Sequence, residues 1–398
     1  MEIKILHDDE WKSSKYFGEK YIIEKENAES VFDNIPCKKV YIKNTDSFEL
    51  SKEEVLPNIE KYDVGGIKQT SFNPAYLYFT NIEKNGEDSC IVNIIRYSLK
   101  DNSMESIYGF DSEISKINND YRYKIFILND TILFIQKEEK IKLESSDYED
   151  FLKFSQKIVY LKDMSVFDVS DEIFLNNGIS DIIAVSESKC IIKLGFSLLE
   201  NNRFTLMTKE ESSLETLAMM NISQLISDIV IGHSEISLEV IEQAYYTNTI
   251  PYIKKTGDYL IYSCVNNETK VEEINFYNIE TLEKKSCINK DVVINSDLGN
   301  ACIIADEPYV CISKDSKYSF LNINTNKIEN VFDNKLRLSH VFSDSLLFSG
   351  EKKKFISRKV KPYYELINFK TKENLYNENK EYIDSFESDD KCIYIITG

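Results

Sequence analysis

One unit recurs along the whole chain: a turn residue followed by a short apolar strand rich in aromatic side chains. Copies are read at Gly18–Ile23, Asn73–Phe79, Asn129–Phe134, Ser188–Ile192, Gly257–Tyr262, Ala305–Val310, Ser343–Phe348 and Asp389–Ile395. A cadence of this kind constrains the fold more than any single motif. Each copy is one supersecondary element whose apolar face is buried only by stacking on its neighbours.

Between these copies lies a second unit, an alternating strand that runs into a polar turn and a further strand. It is clearest at Ile94–Asn102, Phe276–Lys284, Phe320–Ile328 and Leu366–Glu373, and looser at Tyr41–Asp46, Tyr160–Asp163 and Thr205–Lys209. Period-2 alternation on both sides of an Asn/Asp/Thr/Lys turn predicts a β-hairpin. From Gly18 to Asp389 there are 371 residues, about 53 for each of seven repeats, slightly more than the ~40–50 of a four-stranded blade. The surplus is greatest between the copies at 188 and 257. The copy at 389 has no hairpin after it, so it is expected to complete a sheet begun near residue 1, removing an open edge.

With segments such as Phe276-Tyr277-Asn278-Ile279-Glu280-Thr281-Leu282-Glu283-Lys284, the chain resembles bacterial β-propellers built from strand–hairpin repeats. The resemblance covers most of 15–396 and is to an architecture. The Gly-His and Trp-Asp pairs of WD-type blades, the double glycines of kelch blades and a Ser-x-Asp-x-Gly-x-Thr-Trp box are all missing, and Trp11 is the single tryptophan. The expectation is an all-β chain forming one domain over 1–398. It would be a propeller of seven blades, with six or eight also allowed by the spacing, closed by pairing of its N- and C-terminal strands. Tandem β-sandwiches would show similar strands without one cadence throughout.

The turns carry few glycines. With Gly 12 and Pro 6 in 398 residues, pairs such as Asn118-Asn119 and Asn176-Asn177 are expected to do the turning, since Asn tolerates left-handed geometry and hydrogen-bonds nearby backbone. The pattern breaks over 208–231. There Ser212-x-x-Glu215 reads as a capping box, and Leu214, Leu217, Ala218, Leu225, Ile226 and Ile229 fall at helical spacing with Gly232 as a stop. That spacing predicts an amphipathic helical insert near 212–231 packed on the propeller, with Met207, Met219 and Met220 nearby as gap-filling core.

Lys+Arg 48 against Asp+Glu 67 leaves a formal charge of −19, which repels phosphate backbones and argues against non-specific nucleic-acid binding. A hydrophobic fraction of 42% supplies a large core and excludes wholesale disorder. The segment Met1–Glu10 has no apolar h-region, and no apolar run reaches the ~18–20 residues of a membrane span. A soluble, cytoplasmic protein is expected. All eight cysteines but Cys37 precede Ile or Val, and no pair has C-x-x-C spacing. They read as small buried hydrophobes rather than as disulfides or metal ligands.

Motifs that carry chemistry are scarce. The histidines His7, His233 and His340 stand far apart without metal-ligand spacing. His233, just past the helical stretch, reads as a surface turn. His340 ends the alternation Leu336-Arg337-Leu338-Ser339-His340, which places its ring on the leucine side of a strand. Asp147–Asp150 reads as a solvated loop and Lys137–Lys140 as a hairpin turn. Lys352–Lys361 holds six cations within ten residues, read as a solvated hairpin whose lysines guard a sheet edge. No nucleophile elbow, P-loop or dinucleotide fingerprint is present. No catalytic, cofactor-binding or metal residue is assigned, and no cofactor is expected. The function expected is a non-catalytic interaction module for a protein, peptide or small-molecule ligand. The alternative is a propeller hydrolase or lyase using carboxylates in the central funnel.

Overall fold

The computed structural model describes residues 2–398 except 8–12, 18–19, 29–34, 46, 48, 58, 60–67, 71–72, 130, 142–150, 170–176, 187, 198, 201–202, 205–213, 232–237, 246–252, 257, 267–271, 290–300, 315–316, 354–359 and 389–390. Strand dominates, with a single helix among the described residues. Two compact units divide the chain: a terminal unit, Met1–Gly18 with Tyr246–Gly398, and an inner unit, Glu19–Tyr245. The terminal unit supplies β1 (Ile3–His7) and β2 (Ser13–Phe17) before the inner unit begins.

In the inner unit, β3 (Lys20–Ala28), β4 (Cys37–Asn44) and β5 (Leu50–Pro57) pair antiparallel in chain order. Two four-stranded meanders follow: β6 (Lys68–Thr70), β7 (Asn73–Lys84), β8 (Ser89–Ser98) and β9 (Met104–Glu113), then β10 (Tyr121–Asn129), β11 (Ile132–Ile141), β12 (Phe151–Tyr160) and β13 (Ser165–Val169). The next consists of β14 (Asn177–Ala184), β15 (Lys189–Ser197), β18 (Leu214–Asn221) and β19 (Leu238–Tyr245). It is interrupted by the short hairpin β16 (Leu199–Glu200) with β17 (Arg203–Phe204) and by α1 (Ile222–Ile231).

The terminal unit repeats the plan. Its four-stranded meanders are β20 (Ile253–Thr256), β21 (Tyr259–Val265), β22 (Glu272–Asn278) and β23 (Lys284–Asn289); β24 (Ala301–Ile304), β25 (Glu307–Lys314), β26 (Lys317–Asn322) and β27 (Lys327–Asp333); and β28 (Arg337–Val341), β29 (Ser345–Lys353), β30 (Val360–Asn368) and β31 (Asn374–Glu378). The last sheet has three strands, β32 (Tyr382–Glu387), β33 (Ile393–Thr397) and β1, with β1 parallel to β33 from Ile3↔Ile393 to His7↔Thr397. The fold is all-β, and its unit, the four-stranded antiparallel meander, is that of a propeller blade.

The recurring sequence units produce one recurring corner. In six meanders the residue just after the third strand donates its N–H to a carbonyl at the start of the second strand or just before it. The pairs are Leu99 to Ala75, Leu161 to Thr131, Ile222 to Ser188, Ile279 to Asp258, Ile323 to Pro308 and Phe369 to Asp344, all at 2.8–3.0 Å. Two residues past each accepting carbonyl sits a fully buried apolar side chain: Leu77, Leu133, Cys190, Leu260, Val310 and Leu346, each 0% exposed. Burial of this kind contributes about 1.5–3 kcal/mol per large aliphatic side chain.

The hairpins that follow are set by asparagine. Asn278 Oδ1 accepts from the N–H groups of Glu280 and Thr281, Asn322 Oδ1 from Asn324 and Thr325, and Asn368 Oδ1 from Lys370 and Thr371. Four residues beyond each of these asparagines the backbone turns left-handed, at Leu282 (φ 58°), Asn326 (54°) and Lys372 (61°). Asn102 (59°) and Met164 (62°) occupy the same place in two inner sheets. The strand register then slips by one residue, between Phe276 and Tyr277, between Phe320 and Leu321, and between Leu366 and Ile367. A side-chain-capped turn closed by a left-handed residue and a bulge is the physical content of the Asn/Thr/Lys repeats.

Asn221 shows what that corner becomes when lengthened. It stands at the same position, but its Oδ1 accepts from Gln224 N–H at 3.0 Å and so caps α1. The helix expected over 212–231 is therefore corrected: Leu214–Asn221 is a strand and only Ile222–Ile231 is helical. The reason is burial on both faces. Leu217, Ala218, Met219 and Met220 are all buried on β18, which erases the period-2 signal and leaves apolar spacing that mimics a helix. Ser212 and Gly232 lie outside the described residues.

Candidate functional site

A cluster of titratable groups forms where β30, β31 and β32 meet in the terminal unit. Tyr364 on β30 stands directly opposite Glu378 on β31. Its hydroxyl donates to Glu378 Oε2 at 2.9 Å, the Tyr376 hydroxyl donates to the same oxygen at 3.2 Å, and Lys380 Nζ lies 3.1 Å from Oε1. The Tyr364 and Tyr376 rings stack at 6.1 Å, and on the other side Tyr382, bonded through its hydroxyl to Ser385 Oγ at 3.0 Å, lies 6.5 Å from Tyr364. Below them Phe342, Leu347, Leu366, Ile393 and Ile395 form the apolar floor.

The electrostatics follow from this geometry. Burial acts to raise the Glu378 carboxyl, but the hydrogen bonds from Tyr364 and Tyr376 and the neighbouring Lys380 outweigh it and hold the group below the usual carboxylate range. Burial first, and then the anionic Glu378, pushes both Tyr364 and Tyr376 upward. The carboxylate stays ionised and the phenols stay protonated at neutral pH. The cluster accepts hydrogen bonds and holds three strands together, and it offers neither a proton donor poised near pH 7 nor an activated nucleophile.

The preceding sheet repeats the theme. Tyr309 donates to Glu329 Oε2 at 2.7 Å and Thr325 to Oε1 at 3.0 Å. Burial, then the bond to Glu329, pushes Tyr309 up to about 12, and the Tyr309 hydroxyl is the main cause holding Glu329 low. Glu365 accepts from Asn334 at 2.7 Å and Tyr363 at 3.1 Å, and Glu387 accepts the Ser343 N–H at 2.7 Å. Among the described residues no group of three or more His, Cys, Asp and Glu side chains is placed to hold a metal ion.

The side chains singled out in the sequence lie apart. His340 does not sit on the leucine side. A bulge between Leu338 and His340 shifts the register, so that Leu338 opposes Phe348 and His340 opposes Leu347 on the other face. Its ring stacks on Phe342 at 4.5 Å. His7 lies in β1 opposite Thr397; its side chain, His233 and Asp147–Asp150 lie outside the described residues. Lys137–Lys140 is not a turn but the interior of β11. Lys137 and Glu139 take one face and Glu138 and Lys140 the other, with buried Glu138 bonded to Lys124 at 2.9 Å and to Gln136 at 3.0 Å. Of the basic stretch, Lys352, Lys353 and Lys361 fall on β29 and β30, the two central strands of their sheet, and so guard no edge, while residues 354–359 lie outside the described residues. Lys352 Nζ instead sits 3.5 Å from the Tyr363 ring centroid and 3.5 Å from Glu365 Oε2. Cys37, Cys90, Cys190, Cys264, Cys302, Cys311 and Cys392 are free and buried, and burial pushes the Cys190 thiol up to about 12.

Large apolar side chains are exposed on α1 and on β19, as on several other strands. Ile222 and Leu225 pack into the inner unit's core, while Val230 and Ile231 at the helix end are 59% and 66% exposed and Val240 on β19 is 51% exposed. Among the described residues no helix is long and apolar enough to cross a membrane.

No protein-family model matches the sequence, and no curated protein does. Solved structures similar in shape include the acylaminoacyl peptidase of Pyrococcus horikoshii (TM-score 0.42, 11% identity, 87% of this chain and 49% of that one). Prolyl oligopeptidase B of Galerina marginata (TM-score 0.45, 9% identity, 91% and 48%) and the Dos1 propeller (TM-score 0.39, 8% identity, 94% and 86%) are others. The chain spans about half the length of the two peptidases. Likeness at these scores assigns no activity, and the class of fold rests on the meanders themselves.

Proposed function

We propose that this chain is a non-catalytic binding module of the propeller class, engaging a protein, peptide or small-molecule ligand. The observation that supports it is the state of the clustered carboxylates. Glu378 and Glu329 each accept from a tyrosine and a second donor and are held below the usual range, whereas acid–base work needs a carboxyl raised toward neutral pH.

The alternative, a hydrolase or lyase working through carboxylates, is tested directly. The purified chain and its Glu378→Gln and Glu329→Gln variants are assayed on panels of aryl glycosides and aminoacyl anilides. Turnover that either substitution abolishes would replace the proposal. Absence of turnover, together with saturable one-to-one binding of a peptide from an array, supports it.

A further inference from the structure

The sheets β24–β27 and β28–β31 of the terminal unit have four strands each, while among the described residues the sheet of β32, β33 and β1 has three and β1 lies at its edge. The orientation of that edge follows from the ladder. Ile393 N–H donates to the Glu2 carbonyl at 2.9 Å, and the Thr397 hydroxyl reaches the Leu6 carbonyl at 3.3 Å. In a parallel ladder alternate residues bond to the same neighbour, so Glu2, Lys4 and Leu6 turn their backbone groups toward β33. Ile3 and Ile5 direct N–H and C=O outward, and those groups have no partner among the described residues.

Edges of soluble sheets are commonly blunted by an outward lysine, a proline or a bulge. None of these protects β1. Its register with β33 runs without a slip, and its one lysine, Lys4, is drawn back over the Tyr394 ring, with Nζ 3.3 Å from the hydroxyl. Ile3 and Ile5 side chains are half-buried against Phe342, Leu347, Ile393 and Ile395. An added strand would continue that apolar face with every second residue.

We propose that the outer edge of β1 is a strand-acceptor site for an extended, cationic segment of a partner protein, which completes the sheet as its fourth strand. The sign of the partner follows from charge. The chain carries −19 overall, Glu2 is exposed at one end of the edge, and the sequence past the other end continues Asp8-Asp9-Glu10. Such a field attracts a basic strand and repels a second copy of this chain. Main-chain bonds to Ile3 and Ile5 supply affinity, and alternate apolar side chains supply register. The inference stands whether or not the chain also catalyses a reaction.

The test uses the full chain and a fluorescent octapeptide alternating lysine and valine. Hydrogen exchange of the free protein should show the Ile3 and Ile5 amides fast and those of Lys4 and Leu6 slow. Saturating peptide should slow the first pair at least tenfold. Ile5→Pro deletes an outward N–H and leaves the bonds to β33 in place, so it should weaken peptide binding at least tenfold, and a glutamate–valine octapeptide should not bind. The proposal is overturned if the Ile5 amide is already protected without peptide. Protection that grows with protein concentration would mean that a second copy occupies the edge, and constant protection that the chain covers it itself. Unchanged peptide affinity in Ile5→Pro also overturns it. Should that variant not fold, the exchange of the unaltered protein decides alone.

Discussion

Gln136 and Ile179 exchange two hydrogen bonds as though a side-chain amide were a strand: Ile179 N–H donates to Gln136 Oε1 at 2.7 Å, and Gln136 Nε2 donates to the Ile179 carbonyl at 2.9 Å. The amide is saturated, because Gln156 Nε2 also donates to Oε1 at 2.9 Å and Gln136 Nε2 also reaches Glu138 at 3.0 Å. It ties β11 to β14, two sheets of the inner unit, with Gln136 fully buried. Gln136→Leu removes all four bonds and strands buried polar groups at about 1–3 kcal/mol each. A loss of about 3 kcal/mol or more is expected by urea unfolding, with Gln136→Glu no better because of its neighbour Glu138. A loss under about 1 kcal/mol would show that the stitch is dispensable.

Asn221 is expected to matter locally. Replacing it with alanine removes the acceptor for Gln224 N–H and should cost about 1 kcal/mol. Exchange in Ile222–Ile231 should rise while that of β15 stays slow. Asn221→Asp should retain most of the stability, since a carboxylate caps as well as an amide.

Met164 holds a left-handed backbone, φ 62°, while 48% exposed. That conformation costs a side-chain-bearing residue about 1–2 kcal/mol, and asparagine bears it more readily. Met164→Asn should therefore raise the unfolding midpoint, since asparagine already fills the same left-handed place at Asn326 and Asn102. A lowered midpoint would show that the methionine packs usefully.

The pH dependence of stability should carry the signature of Glu378. Its folded value lies below the usual range, against the rise that burial alone would give, because Tyr364, Tyr376 and Lys380 favour the anion. A depressed carboxyl contributes stability that is complete above its unfolded value near 4.3 and is lost as pH falls through the folded one. Glu378→Gln should destabilise at pH 7 and progressively less below about pH 4. A difference that does not change between pH 7 and pH 3 would remove the carboxylate from the account. Asp101, held at about 2 by the Ser98 side chain and then by Ser103, should remain ionised to lower pH in a direct titration.

If residues 1–398 form one domain, as we propose, unfolding should show a single transition, coincident whether followed by tyrosine fluorescence or by far-ultraviolet dichroism. Two separated transitions would assign the inner and terminal units independent stability.

The strand positions were legible because each corner repeats the same chemistry. An apolar pair after a turn residue, as at Asp258-Tyr259-Leu260, becomes the buried second strand, and Asn278, Asn322 and Asn368 become the turns. What escaped was set by tertiary context. Met219 and Met220 are buried on opposite faces of one strand, so no alternation remained to mark β18. His340 changed face because a bulge consumed one residue. Gln136 did leave a trace, as a polar residue in phase with Ile132 and Phe134, but a sequence does not show the Ile179 backbone that answers it. Tyr364 and Glu378 are fourteen residues apart, and only the hairpin between them makes them partners.

The pairing of Ile3 with Ile393 joins residues 390 positions apart. Among the described strands β1 pairs only with β33, so during synthesis its isoleucines should stay unpaired until nearly all of the described chain has been made. Once formed, the contact closes a loop of nearly 400 residues. Because closure entropy grows only with the logarithm of length, the delay is a matter of timing far more than of stability. Deletion of either short segment should leave the other as a sticky remnant, and aggregation during expression would reveal it before any equilibrium measurement could.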